Sequence, residues 1–172
     1  MTMRLVLALL ALTLAPAARA QEIRTDIYYR LYTEYLGRDM PLGVVNGGTY
    51  NNAAKLEPLA ESSAQYWHIV PSARGTIRLT TMFRGQGECL GVIPEGDRKG
   101  EAALLPCDET PGQRWGLDTR EARLRLSNEA FGAAQCLDVK GEGPGKNRLY
   151  LNDCGFWAGQ LWTLKPTDQP LR

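Results

Sequence analysis

The run Cys136-Leu137-Asp138-Val139, continued by Leu149-Tyr150-Leu151-Asn152-Asp153-Cys154 and closed by Gln160-Leu161-Trp162, is the third copy of a pattern that fills the chain. Its closing motif, Gln-x-Trp, also occurs as Gln65-Tyr66-Trp67 and Gln113-Arg114-Trp115, at intervals of 48 and 47 residues. Superposed at those offsets, Leu42, Leu90 and Leu137 coincide, as do Val44, Val92 and Val139 two positions later. Leu56, Leu104 and Leu151 fall into line, and Ile69, Leu117 and Leu164 follow two residues after each Trp. Upstream, Tyr29/Leu31, Ile77/Leu79 and Leu124/Leu126 make a further alternating set. Internal repeats at such a period are the signature of a fold assembled from equivalent units.

The alternation of apolar and polar residues is that of half-buried strands. Turn signals separate them: Asn46-Gly47-Gly48, Pro94-Glu95-Gly96-Asp97 and Gly141-Glu142-Gly143-Pro144-Gly145. Each copy therefore reads as about four short strands. One copy cannot bury its apolar face alone, whereas three around an axis enclose a common core. Trp67, Trp115 and Trp162 are expected in that core, each burying on the order of 200 Å². Gln65 and Gln113 are assigned to the scaffold, their buried amides satisfying backbone groups at a turn.

The chain opens with an address. Arg4 precedes an apolar stretch from Leu5 to Leu14, which Pro16 ends, and Ala18-Arg19-Ala20 supplies small residues at a cleavage site. Residues 1–20 are expected to be a cleaved signal peptide, with Gln21 opening a soluble chain of residues 21–172 and no membrane span. The expected repeats are residues 26–71, 72–119 and 120–166. Removal of Arg4 and Arg19 takes the formal charge from +1 to −1, so nucleic acid is not an expected partner. Export to a periplasmic or extracellular setting gives the four cysteines an oxidising environment. Four cysteines allow three pairings, among which sequence alone does not choose. The equal separation of 18 residues points to two copies of one loop, Cys89–Cys107 and Cys136–Cys154. Each closure should contribute about 3 kcal/mol.

Three Gln-x-Trp motifs, with Cys-Leu-x-Val starts in copies two and three and a Cys six residues before the Gln, resemble the ricin-type β-trefoil lectin family. The resemblance implies an all-β fold, a single β-trefoil with pseudo-threefold symmetry and two disulfides within repeats. Copy one departs from the pattern, with Pro41 and Leu59 where the cysteines would stand. The family places a sugar pocket in each repeat: an Asp two residues after the first Cys, an aromatic two before the second, and an Asn just before the motif Gln. Copy one has Gly43, Glu57 and Ala64 there, and copy two Gly91, Leu105 and Gly112. Copy three keeps Asp138, with Asn152 and Gly159 at the other two places. The expected carbohydrate site is therefore Asp138 and Asn152 with Gln160, and Tyr150 or Trp157 as the stacking face. On this reading Asp138→Asn removes sugar binding and leaves the melting temperature nearly unchanged.

The function expected is a secreted carbohydrate-binding module that takes a glycan or glycoconjugate. The alternative is a trefoil adaptor, or toxin-accessory type of subunit, that docks a protein partner through Phe156-Trp157. No enzyme activity, cofactor or metal is expected: there is one His, His68, and no nucleophile or phosphate-loop motif beside it. Glu101 with Asp97, and Asp108 with Glu109, read as solvated turns, and Arg98 and Lys99 as forming no patch.

Overall fold

A computed structural model describes residues 23–120 and 123–171. The signal peptide and its cleavage point lie outside the described residues. Twelve strands follow one another: β1 (Ile27–Thr33), β2 (Leu42–Val44), β3 (Ala54–Leu56), β4 (Trp67–Pro71), β5 (Ile77–Thr81), β6 (Gly85–Val92), β7 (Ala102–Pro106), β8 (Trp115–Arg120), β9 (Arg123–Asn128), β10 (Gly132–Val139), β11 (Leu149–Asp153) and β12 (Trp162–Pro170). Pairing runs β1–β4–β5–β8–β9–β12 and back to β1, all antiparallel, so six strands close a barrel. The remaining strands form three hairpins, β2–β3, β6–β7 and β10–β11. The hairpins meet through single bridges, Ala53 to Ala103, Lys55 to Arg148 and Glu101 to Tyr150. This is a β-trefoil, and barrel closure leaves those six strands no free edge.

The three motif tryptophans are fully buried. Their indole Nε1 groups donate to the carbonyls of Leu42, Leu90 and Leu137 at 2.8, 2.8 and 3.3 Å. The same hydrogen bond thus recurs in each repeat. The superposed leucines and valines surround them in one cluster, with Leu117, Leu124 and Leu151 packed against its edge. Each motif Gln closes the same corner. Gln65 accepts from the Ala60 amide and donates to the Pro58 carbonyl; Gln113 accepts from Asp108 and donates to Pro106. A buried amide that satisfies two backbone groups at once fixes the chain entering the Trp strand.

The disulfides are Cys89–Cys107 and Cys136–Cys154. Each ties the first strand of a hairpin to the segment just after its second. In repeat one the same corner holds a buried Pro41 and an exposed Leu59.

Where the hairpins converge, the structure departs from the sequence reading of Glu101. It is no solvated turn residue: its carboxylate pairs with Arg98 at 2.9 Å and with Arg148 at 3.0 Å. The Arg148 guanidinium is buried 3.6 Å from the centre of the Tyr50 ring. Gly145 is required beneath it, since a Cβ there would run into the guanidinium and its φ is +95°. Ala53, Glu101 and Arg148 occupy one position in the three repeats, so equivalent residues meet around the axis as a small residue, an acid and a base.

Candidate functional site in the third repeat

In the β10–β11 hairpin Asp138 lies opposite Tyr150, and Asn152 two residues on shares the Tyr150 face. Four of the five expected site residues come together there. Asp138 Oδ2 accepts from Gln160 Nε2 at 3.0 Å and from Asn152 Nδ2 at 3.1 Å. Its Oδ1 accepts from the Val139 amide at 2.7 Å. Asn152 Nδ2 also donates to the Tyr150 hydroxyl at 3.3 Å. Burial, and then the nearby Asp138 carboxylate, push the Tyr150 phenol above its ordinary value. Gln160 is held from behind: its Oε1 accepts from the Gly155 amide at 2.8 Å and its Nε2 donates to the Asp153 carbonyl at 2.9 Å.

Asp138 is only 6% exposed. The carboxylate expected to accept from sugar hydroxyls is the hub of a network joining β10, β11 and the motif Gln. Gly159 makes the space, because a Cβ at that position would collide with Asp138 Oδ1. The polar edge that reaches the surface is formed by Asn152 and Tyr150, both half-buried.

Trp157 stands apart from this network. It is 64% exposed and its neighbour Phe156 is 73% exposed. The indole lies over Gly155, where any side chain would meet it, and Arg125 sits 5.4 Å from the centre of the Phe156 ring. The Trp157 carbonyl accepts from the Gln160 amide at 2.9 Å, which anchors the loop beside the site.

The equivalent positions of the other repeats are filled differently. In repeat two a Cβ on Gly91 would lie 3.0 Å from Gln113 Cγ and 3.1 Å from Leu105 Cδ1. Apolar atoms occupy the place the Asp138 carboxylate takes in repeat three. In repeat one a Cβ on Gly43 would lie 3.0 Å from Glu57 Oε2. A carboxylate therefore reaches this position from the opposite strand, which the sequence comparison of repeats did not bring out. Burial raises the Glu57 pKa, and Lys55 offsets part of the effect.

His68 Nε2 lies 2.8 Å from the Thr25 carbonyl, and its ring meets Tyr28 edge-on at 6.1 Å. Among the described residues no group of three His, Cys, Asp or Glu is placed to hold a metal ion. Among them, too, no helix is long and apolar enough to cross a membrane.

Comparison with solved structures places the fold among known trefoils. A mosquitocidal holotoxin superposes with a TM-score of 0.72 at 12% identity, over 85% of this chain and 18% of that one. The designed threefold-symmetric protein ThreeFoil gives 0.65 at 19% identity, over 80% and 97%. The Rhizoctonia solani agglutinin gives 0.64 at 12% identity, over 86% and 100%. This chain thus spans less than a fifth of the holotoxin. Comparison with curated proteins gave no match. The model of the ricin-type beta-trefoil lectin domain matches residues 42–162, more than two thirds of the chain and all three Gln-x-Trp motifs. The chain belongs to the ricin-type β-trefoil lectin domain family.

Proposed function

We propose that this chain is an exported carbohydrate-binding module whose working pocket is in the third repeat. The observation that carries the reading is the Asp138–Gln160–Asn152–Tyr150 network. A carboxylate is held there by the motif glutamine, and an amide and a phenol are presented at the surface. Asn152 and Tyr150 contact sugar hydroxyls, Asp138 fixes Asn152, which in turn holds the Tyr150 hydroxyl, and Trp157 offers the face on which the C–H side of a pyranose stacks. The two disulfides and the family are compatible with an exported or extracellular protein. An array of immobilised glycans probed with the oxidised protein tests the proposal. Binding that is lost in Asn152→Ala and weakened in Trp157→Ala supports it, and silence across the array overturns it.

A second reading is favoured by the exposure of Phe156 and Trp157, which form an apolar tip of the kind that marks interaction surfaces. On that reading the module docks a protein partner. Asn152→Ala then has no effect on the interaction, whereas Phe156→Ser and Trp157→Ser abolish it.

A further inference from the structure

A cleft of about 350 Å³ opens on the first repeat, between β1, the 3-10 turn Gly37–Asp39, the segment around Leu59 and the end of β12. Its volume falls within the range of small-molecule sites, roughly 300–1,000 Å³. It lies at the corner left without a disulfide, where Leu59 stands in place of a cysteine and is exposed.

Three cations from three elements line it: Arg30, Arg38 and Lys165. Arg30 and Lys165 are directly opposite each other in the β1–β12 ladder. Like charges directly opposite each other destabilise a sheet unless they are compensated by a neighbouring charge. Arg30 is fixed, since its Nη2 donates to the Ala60 carbonyl, the Glu61 carboxylate and the Tyr66 hydroxyl. Glu61 thus neutralises Arg30, and its carboxyl is held below the usual range by hydrogen bonds from Arg30 and Tyr66. Arg38, Lys165, Asp39 and Asp168 also face the cleft and form no ion pair among the described residues. Beside the Arg30–Glu61 pair, two cations and two carboxylates of the cleft are thus left unpaired among the described residues.

We propose that this cleft is a second binding site, for a carboxylate-bearing sugar residue. Arg38 and Lys165 take the ligand's carboxylate. Asp39 and Asp168 accept from its hydroxyls, and exposed Leu59 covers its C–H face. The proposal shares only its ligand class with the third-repeat reading, and the residues do not overlap.

Titration of the oxidised ¹⁵N-labelled protein with sodium glucuronate tests this, with glucose and sodium acetate as parallel arms at matched ionic strength. Glucuronate should give saturable amide shifts confined to residues 36–39, 59–61 and 165–169. These should weaken in about 0.5 M salt, where the screening length is only a few ångströms. Glucose and acetate should give none of them. Lys165→Gln should bind about tenfold more weakly, the loss of one charge-assisted contact. Asn152→Ala should bind as the parent does, so this site can stand or fall without the other. The proposal is overturned by equal response to glucose or acetate, by unchanged affinity in Lys165→Gln, or by shifts centred on Asp138 and Asn152. Lys165 is exposed, and its variant's amide dispersion verifies that it folds.

Discussion

Asp138→Asn is the substitution on which the structure and the sequence reading disagree, and its magnitude follows from the hydrogen bonds. The carboxylate accepts three of them: Oδ1 from the Val139 amide, Oδ2 from both Gln160 Nε2 and Asn152 Nδ2. An asparagine has one acceptor oxygen. If it replaces Oδ1, its NH₂ confronts two N–H donors; if it replaces Oδ2, it confronts the Val139 amide. Neither neighbouring amide can turn to accept instead at no cost. Gln160 is pinned by the Gly155 amide on its oxygen and the Asp153 carbonyl on its nitrogen. Asn152 is pinned by the Asp153 amide, which donates to its Oδ1 at 3.0 Å. A bond to a charged acceptor contributes about 1.5–3 kcal/mol, so losing one or two at a buried site costs about 3 kcal/mol. For a chain of this size that lowers the melting temperature by roughly 6–12 °C. Thermal unfolding of the oxidised protein at neutral pH, followed by circular dichroism, measures it. A variant melting within about 2 °C of the parent, a loss of no more than about 1 kcal/mol, would show that the carboxylate's bonds are not what the geometry implies.

Three further outcomes are expected. Trp115→Ala should cost about 3–5 kcal/mol by denaturant unfolding, because it empties a fully buried site and orphans the Leu90 carbonyl. Glu101→Ala should cost about 3 kcal/mol in the same assay, since it leaves the buried Arg148 charge uncompensated; Glu101→Ala as stable as the parent would contradict the axial cluster. Glu57→Gln should raise the melting temperature at neutral pH. Burial lifts the folded pKa above its ordinary 4.5, so the native state holds the proton more tightly and stability falls as pH rises from about 4.5 through the folded value. The advantage of Glu57→Gln should accordingly close below about pH 4.5, and an advantage independent of pH would refute that cause.

The trefoil was legible because threefold packing writes itself into the chain at fixed intervals. A residue that must face the axis in one repeat must face it in all, so Leu42, Leu90 and Leu137 align in sequence and are buried alike. The motif tryptophans and glutamines follow the same logic, since each fills one corner three times over. What symmetry imposes, a period can reveal.

The site is legible only in part because it exists where the symmetry is broken. Glu57 and Leu105 stand in the slot that Asn152 holds in repeat three, yet they reach toward Gly43 and Gly91, which stand in the slot of Asp138. Position-by-position comparison assigns each residue to its own slot and cannot show a long side chain crossing from the opposite strand into a neighbour's. That choice is made by side-chain reach and by which glycine leaves a hole. The axial cluster obeys the same rule. Ala53, Glu101 and Arg148 share one position, and near a threefold axis three equivalent positions must be neighbours. An acid and a base there are contacts in waiting, and this is the signal that the offsets already contained. The charges of Arg30 and Lys165 gave no such signal, because they meet across β1 and β12, the first and last strands of the chain. Closure of the barrel alone brings them together. Function in this fold is therefore to be sought where repeats differ, and the first repeat, without its disulfide, differs most.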